Sequence, residues 1–220
     1  MRISLSTSVG VLSGSAVVLW GIASATDNYM MFYSPSSFAI VFGGTITASF
    51  IGYRWRYIFK AMSNIFTIFI RQKITPKTLN DDVKKILEWA KQVQDDGQSA
   101  IEPILNNLNP DDEFSSYMFG LMATGYKTDD LQTFGETSIE EHYYRRLNEA
   151  SILSNMGSAA PAFGMVGTLI GLIVMLGNLS DPGQMGPGLS MALMTTLYGV
   201  LVARFIFLPT STKLKPVSYT

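Results

Sequence analysis

The chain has 220 residues, of which 47% are hydrophobic and only 15% charged, with a mean hydropathy of +0.22. Soluble domains carry roughly 25% charged residues, so an ordinary soluble class is disfavoured, and a net charge of −1 leaves no electrostatic footprint for nucleic acid. With no cysteine and with His142 as the single histidine, the sequence excludes a disulfide framework, a thiolate metal site and a multi-histidine metal site within one chain.

The charges are unevenly placed. None lies between Arg2 and Asp27, between Asp27 and Arg54, between Glu149 and Asp181, or between Asp181 and Arg204. Each gap reaches or exceeds the roughly 20 residues that a helix needs to cross a bilayer. Backbone groups in lipid must pair internally, so the spans are helices. The pattern predicts an all-α membrane protein with four transmembrane helices, at about 6–25, 35–53, 155–178 and 187–208. "GIASAT" at the end of the first span is similar to a signal-peptidase site. The positive region before it is a lone Arg2 and three spans follow, so the segment is read as a retained helix.

Lys and Arg set the orientation. Arg54, Arg56 and Lys60 follow the second span, Arg145 and Arg146 precede the third, and Lys213 and Lys215 follow the fourth. The connections 26–34 and 179–186 carry neither residue. Positive charge stays inside, so both termini and the long central segment are predicted to be cytoplasmic. The expected layout is 1–53 for the first two spans, 54–154 for a helical cytoplasmic domain, 155–209 for the last two spans and 210–220 for a short cytoplasmic tail.

In the central segment, Thr78 or Asn80 is expected to cap a helix in which Val83, Ile86, Leu87, Ala90 and Val93 recur at helical spacing, with Gly97 ending the run. A second helix is expected over 99–108, closed by "NPDD". "EFSSYMFGLMATGY" and "TDDLQTFGETSIEEHYYRRLNEASIL" read as further amphipathic helices, the last able to run unbroken into the third span. The charged faces are solvated or meet a partner electrostatically, and His142 belongs to such a solvated stretch. The segment is too short for a nucleotide domain and holds neither G-x-x-x-x-G-K nor G-x-G-x-x-G.

The third span, "APAFGMVGTLIGLIVML", is apolar but gives up much side-chain surface. Gly164, Thr168, Gly171 and Met175 fall on one helical face, Pro161 lies one turn before, and Gly167 and Gly171 form a G-x-x-x-G pair. Small residues permit close helix packing. In the fourth span, Ser190, Met194 and Thr195 lie near one face, with Thr196 and Gly199 adjacent. The threonines either bond back to their own helix carbonyls or line a wet path. Ion conductors commonly carry an intramembrane acid or base, yet no acid lies inside any span of this chain. If ions cross here, another chain supplies the carboxylate. An enzyme is disfavoured as well, since no Ser–His–Asp set, paired buried carboxylates or metal cluster fits the spans.

At these residues the sequence resembles the A subunit of bacterial flagellar stators, the MotA/PomA family. "SPSSFAIVFGGTITASF" is similar to that family's second span and "ILEWAKQVQDDG" to its cytoplasmic helix. Residues 155–209 resemble its third and fourth spans almost position by position. The resemblance implies a bacterial inner-membrane protein forming a ring of five around a dimer of a B subunit. That partner has a single transmembrane helix with an essential Asp, and a peptidoglycan-binding domain. Ion flow past the Asp turns the ring, and the cytoplasmic loop pushes the rotor switch protein. By this resemblance Gly164, Gly167, Gly171 and Gly199 let the helices pack closely in the ring, and Thr168, with Thr195 and Thr196, faces the ion path. Pro161 and Pro209 match family prolines tied to conduction and coupling. Lys91 and Glu102 are the expected rotor contacts. The family's basic residue before the Gly97 position is absent, since Gln94, Asp95 and Asp96 stand there, and the chain ends soon after the fourth span where relatives carry a helical tail.

No cofactor or fixed metal is expected. The transported ion is expected to be sodium, with the proton as alternative, because sodium-using members resemble this chain in having threonines at the Thr168 and Thr196 positions. Sodium is a hard cation that exchanges hydration for oxygen ligands, so it would pause near these two hydroxyls. Two other functions compete. One is an energiser of outer-membrane processes of the ExbB/TolQ type, against which four spans argue. The other is a non-conducting membrane scaffold, in which the threonines only pack.

Overall fold

The computed structural model describes residues 5–67, 76–109 and 112–216, the side chains of 5–8, 66–67 and 76–79 excepted. Among these residues every regular element is helical. The chain divides into two compact units, Met1–Arg71 with Arg146–Thr220, and Gln72–Arg145. The loop-borne unit is therefore narrower than 54–154, because residues flanking it on both sides pack with the apolar helices.

In the first unit, α1 covers Leu5–Ala25 and α2 covers Pro35–Gly52, joined by a 3₁₀ turn at Tyr29–Phe32. Ser34 caps α2, accepting from the Ser37 N–H at 3.4 Å, with Pro35 in the first turn where no N–H is needed. Ser37, Val41, Thr45 and Ser49 recur every four residues and form its buried face. Thr45 and Ser49 donate to the carbonyls of Val41 and Thr45 at 2.6 and 2.9 Å, so the stripe is small and internally satisfied.

Trp55–Thr67 forms α3, an element the sequence reading did not foresee. Its signal is present in Ile58, Ala61, Met62 and Ile65 at helical spacing. Ile58 and Ala61 enter a core made with Val41, Ile152, Leu153, Met156, Ala160, Val202, Ala203 and Phe207.

Helix α7 runs from Thr128 to Gly177 and α8 from Pro182 to Val202. The 50 residues of α7 extend about 75 Å at 1.5 Å per residue and pass Pro161 without interruption. Helix α8 begins five residues ahead of the expected 187 because Asp181 accepts the Gly183 N–H at 3.0 Å and Pro182 occupies the first turn. It also does not stop at 208. A π-type turn at Ala203–Phe207 leads into α9, Leu208–Leu214. Pro209 cannot donate to the carbonyl four residues back and its ring crowds that carbonyl, so a wider turn lets the chain stay helical. Tyr29–Gly52, Thr128–Gly177 and Pro182–Leu214 are each long and apolar enough to cross a membrane; the described apolar part of α1, Val9–Ala25, is shorter.

In the second unit, α4 covers Pro76–Asp96, α5 covers Ile101–Asn107 and α6 covers Glu113–Ala123, followed by the first turns of α7. Helix α4 starts at Pro76, ahead of Thr78 and Asn80, since proline suits a first turn. Gly97 at φ 63° and Gly125 at φ 83° end α4 and α6 in the left-handed region that glycine enters without strain. Ala100, Ile101 and Ile104 are buried, and Trp89 packs edge-on against Phe119 with centroids 5.3 Å apart. Val83, Ile86 and Leu87 stay about half exposed, because α4 makes its contact through Trp89 and not through that stripe.

Candidate functional site

Helices α7 and α8 form an antiparallel hairpin whose seam is built from missing side chains. A Cβ on Gly171 would lie 2.6 Å from both the Ala192 nitrogen and the Gly188 oxygen. A Cβ on Gly188 would lie 2.8 Å from the Met175 nitrogen, and one on Gly199 2.7 Å from the Ala160 oxygen. At Gly164 it would meet the Thr195 oxygen at 3.0 Å. The contacts at Gly171, Gly188 and Gly199 are to backbone and closer than a Cβ allows, so glycine is required there; at Gly164 the fit is tight. The close helix packing that the small residues permit is made within this chain, each glycine face being filled by the other helix of the hairpin.

The seam corrects two faces. On α7 the buried stripe is Met156, Ala160, Gly164, Gly167 and Gly171, with Thr168 half-buried beside it. On α8 it is Gly188, Ala192, Thr195, Gly199 and Val202, while Ser190 lies outside it and is exposed.

Thr195 is 0% exposed, and a Cβ on Gly167 would come within 2.5 Å of the Thr195 Cβ. Its hydroxyl is shared between the Met191 and Ala192 carbonyls at 3.1 and 2.9 Å. Thr195 is thus a packing peg seated on Gly167, sealed from any path on the hairpin surface. The two other threonines differ from it. Thr168 donates to the Met165 carbonyl at 2.5 Å and is half-buried; Thr196 approaches the Ala192 carbonyl at 3.5 Å and is exposed.

Helical geometry places these two together. One step along either helix rotates the side chain by about 100°. In an antiparallel pair, one step beyond a contacting pair turns both side chains to the same side of the seam. Gly167 touches Thr195, so Thr168 and Thr196 emerge on one side at similar height. A hydroxyl that gives its hydrogen to its own helix keeps two lone pairs outward. That is the state in which a threonine can ligate a cation, so back-bonding and ion contact are compatible.

The prolines sit at the ends of this arrangement. Pro161 is half-buried beneath Gly199, a Cβ on which would lie 3.2 Å from its Cα. Pro209 is half-buried just beyond the π-type turn. Lys91 on α4 and Glu102 on α5 are both exposed, in the other unit. Among the described residues no group of three or more His, Cys, Asp or Glu could hold a metal.

Two features were missed. The Tyr198 hydroxyl donates to the Phe32 carbonyl and accepts the Ser34 N–H at 3.1 Å, while Ser37 donates to the Met191 carbonyl at 3.3 Å, so α8 holds the start of α2. Glu149, only 4% exposed, takes Asn64 at 2.9 Å and Lys60 at 3.4 Å. No periodicity in the sequence announces either; the nearest hint is an acid standing alone before an uncharged run.

Comparison with known proteins agrees with this architecture. Residues 106–219 match the family model described as the MotA/TolQ/ExbB proton channel family. Motility protein A of Aquifex aeolicus is 30% identical over 95% of this chain and 81% of its own. Chemotaxis protein PomA of Vibrio alginolyticus is 30% identical over 96% and 80%, and the uncharacterised YtxD of Bacillus subtilis 32% identical over 97% and 78%. A structure of C. jejuni MotAB superposes with a TM-score of 0.78 at 24% identity, over 97% of this chain and 82% of that one. Proteins of this family are channel and stator components and not enzymes. By sequence and by fold, the chain belongs to the MotA/TolQ/ExbB proton channel family, on its MotA/PomA side.

Proposed function

We propose that the chain is the A-type subunit of a flagellar stator in the bacterial inner membrane. It crosses four times with both termini and residues 72–145 in the cytoplasm. Five copies surround a B-type partner that brings one transmembrane helix, its Asp and a peptidoglycan-binding domain. Sodium passes between that Asp and the α7–α8 hairpin, and the ring turns against the rotor through the unit carrying Lys91 and Glu102. Similarity to motility protein A and to MotAB complexes supports the partner. The reported motility relatives favour this branch over the TolQ and ExbB one.

The observation that carries the reading is the seam. By helical geometry it turns the Thr168 and Thr196 oxygens to one side of a hairpin whose apolar part, residues 150–180 and 182–203, holds no carboxylate. A proton needs only an acid and a water chain, whereas sodium needs oxygen ligands. The test is bead rotation in a host lacking its own stator, with external sodium replaced by potassium at fixed pH. Rotation is expected to stop. Full speed without sodium would make the carried ion a proton and overturn the role given to the threonines.

A further inference from the structure

Glu149 is the most deeply buried ionisable group described in the first unit, and the ion path makes no use of it. Its side chain is 6% exposed, that of Lys60 53%. The two carboxylate oxygens are used separately: Oε1 faces the Lys60 ammonium at 3.4 Å, and Oε2 accepts from Asn64 Nδ2 at 2.9 Å. Lys60 and Asn64 are four residues apart on α3, so they stand on one face and reach one acceptor together. Lys60, half exposed, keeps its ammonium head near water.

The surrounding contacts make this a joint. Ile58 and Ala61 of α3 are buried beside Ile152, Leu153 and Met156, one turn beyond Glu149 on α7. The next residue, Ala150, accepts the buried Ser211 hydroxyl of α9 at 2.8 Å. Tyr53 and Asn155 bond each other between the end of α2 and α7. An apolar contact alone fixes depth but not register, since such surfaces slide; a buried carboxylate with two directional partners fixes register, and loss of a partner leaves that group uncompensated.

The position in the chain gives the joint its meaning. Helix α3 is the last described element before the loop-borne unit, and α7 re-enters the first unit at Arg146. Glu149 therefore ties the segment that leads out to the segment that leads back. Along α7, Thr168 follows Glu149 by 19 residues, about 28 Å of unbroken helix.

We infer that Glu149, held by Lys60 and Asn64, is a positioning residue for torque: it locks α3 to α7 so that force on the loop-borne unit reaches the ion-path hairpin instead of being lost as sliding between the two connections. This rests on the stator reading above. A residue of this kind acts on coupling and not on conduction.

The test uses the full chain with its B-type partner in a stator-less host. It compares wild type with Glu149→Gln, Lys60→Met, Asn64→Ala and the exchange Lys60→Glu/Glu149→Lys. Three readings are taken: membrane level, sodium uptake by an intracellular indicator, and bead torque near stall. Wild-type rotation checks the stator reading independently. Glu149→Gln is expected to leave uptake within about twofold while stall torque falls to less than half. The exchange is expected to recover at least half of the lost torque. If Glu149→Gln fails to accumulate, Lys60→Met and Asn64→Ala carry the test, as both partners lie at the rim. Torque and uptake falling in proportion would make the joint a folding contact only, and unchanged torque in all three single variants would remove it from the coupling.

Discussion

The two units of this chain use glycine and apolar residues in opposite ways. In the α7–α8 hairpin, Gly164, Gly171, Gly188 and Gly199 bring backbone against backbone, and contacts form where side chains are absent. In Gln72–Arg145 Gly97 and Gly125 end helices, and contacts are made by large rings such as Trp89 on Phe119 and Tyr126 on Phe134. Lipid offers no hydrophobic drive between helices, so a membrane seam must gain from close packing. An aqueous unit gains from burying rings. The second unit buries few side chains, and Val83, Ile86, Leu87, Tyr117 and Tyr144 remain well exposed. Tolerance to substitution should therefore differ sharply between the two regions.

The largest effect is expected at the seam. Gly171→Leu or Gly188→Leu places atoms where backbone nitrogen and oxygen already stand, and backbone cannot step aside as a flexible side chain can. Overpacking of a tight core costs about 1–3 kcal/mol, and a backbone clash exceeds that range. Both variants should fail to accumulate in the membrane. Gly43→Ala is the contrast, because a Cβ there meets nothing of this chain within 4 Å, and it should be tolerated to within about 1 kcal/mol. Membrane level and thermal stability in detergent decide this; equal accumulation of Gly171→Leu and wild type would show that the hairpin is looser than described.

What could be read in advance follows from the same difference. The charge-free gaps marked the apolar helices because lipid forbids unpaired charge, and "APAFGMVGTLIGLIVML" carried its small-residue seam openly. Which helix filled the seam was not legible, since periodicity gives a face and not a neighbour. The helix Trp55–Thr67 is harder to see in the sequence, because its Arg56 and Lys60 mark orientation and interrupt the apolar pattern of Ile58, Ala61, Met62 and Ile65. Thr195 and Thr196 look alike in sequence, and 100° of rotation separates a buried peg from an exposed hydroxyl. The helix of the fourth span runs on past 208, because the π-type turn before Pro209 lets it continue, and no periodicity announces such a turn.

That pair of threonines gives an intermediate effect that sharpens the contrast within the hairpin. Thr195→Ala removes the peg over Gly167 and should cost about 1–2 kcal/mol in stability, the scale of a small buried truncation. Thr168→Ala touches a half-buried position and should cost less than ~0.5 kcal/mol. Function should invert this order. Thr168→Ala should abolish sodium-dependent rotation at normal protein level, whereas Thr195→Val, which keeps the peg's shape, should retain rotation. If Thr195→Val and Thr168→Ala lose rotation equally, the division between peg and path is wrong.

The smallest structural effect belongs to the loop-borne unit. Lys91 lies near the end of α4 and Glu102 in the first turn of α5, both exposed. Exposed pairs contribute about 0–1 kcal/mol each and are screened within about 8 Å at physiological salt, so reversing either charge should leave assembly and thermal stability unchanged. Their proposed role is contact with an oppositely charged rotor surface, where a like charge costs more than a lost attraction gains. Lys91→Glu and Glu102→Lys should therefore lower swimming speed and high-load torque, and lowering ionic strength should deepen the defect, because repulsion grows as screening falls. A matching reversal on the rotor should restore part of the torque for one of the two variants and not the other, since each charge needs its own partner. Unchanged torque at high load after both reversals, with the seam variants failing as described, would confine the functional chemistry of this chain to its membrane hairpin and move the rotor contact to another surface of Gln72–Arg145.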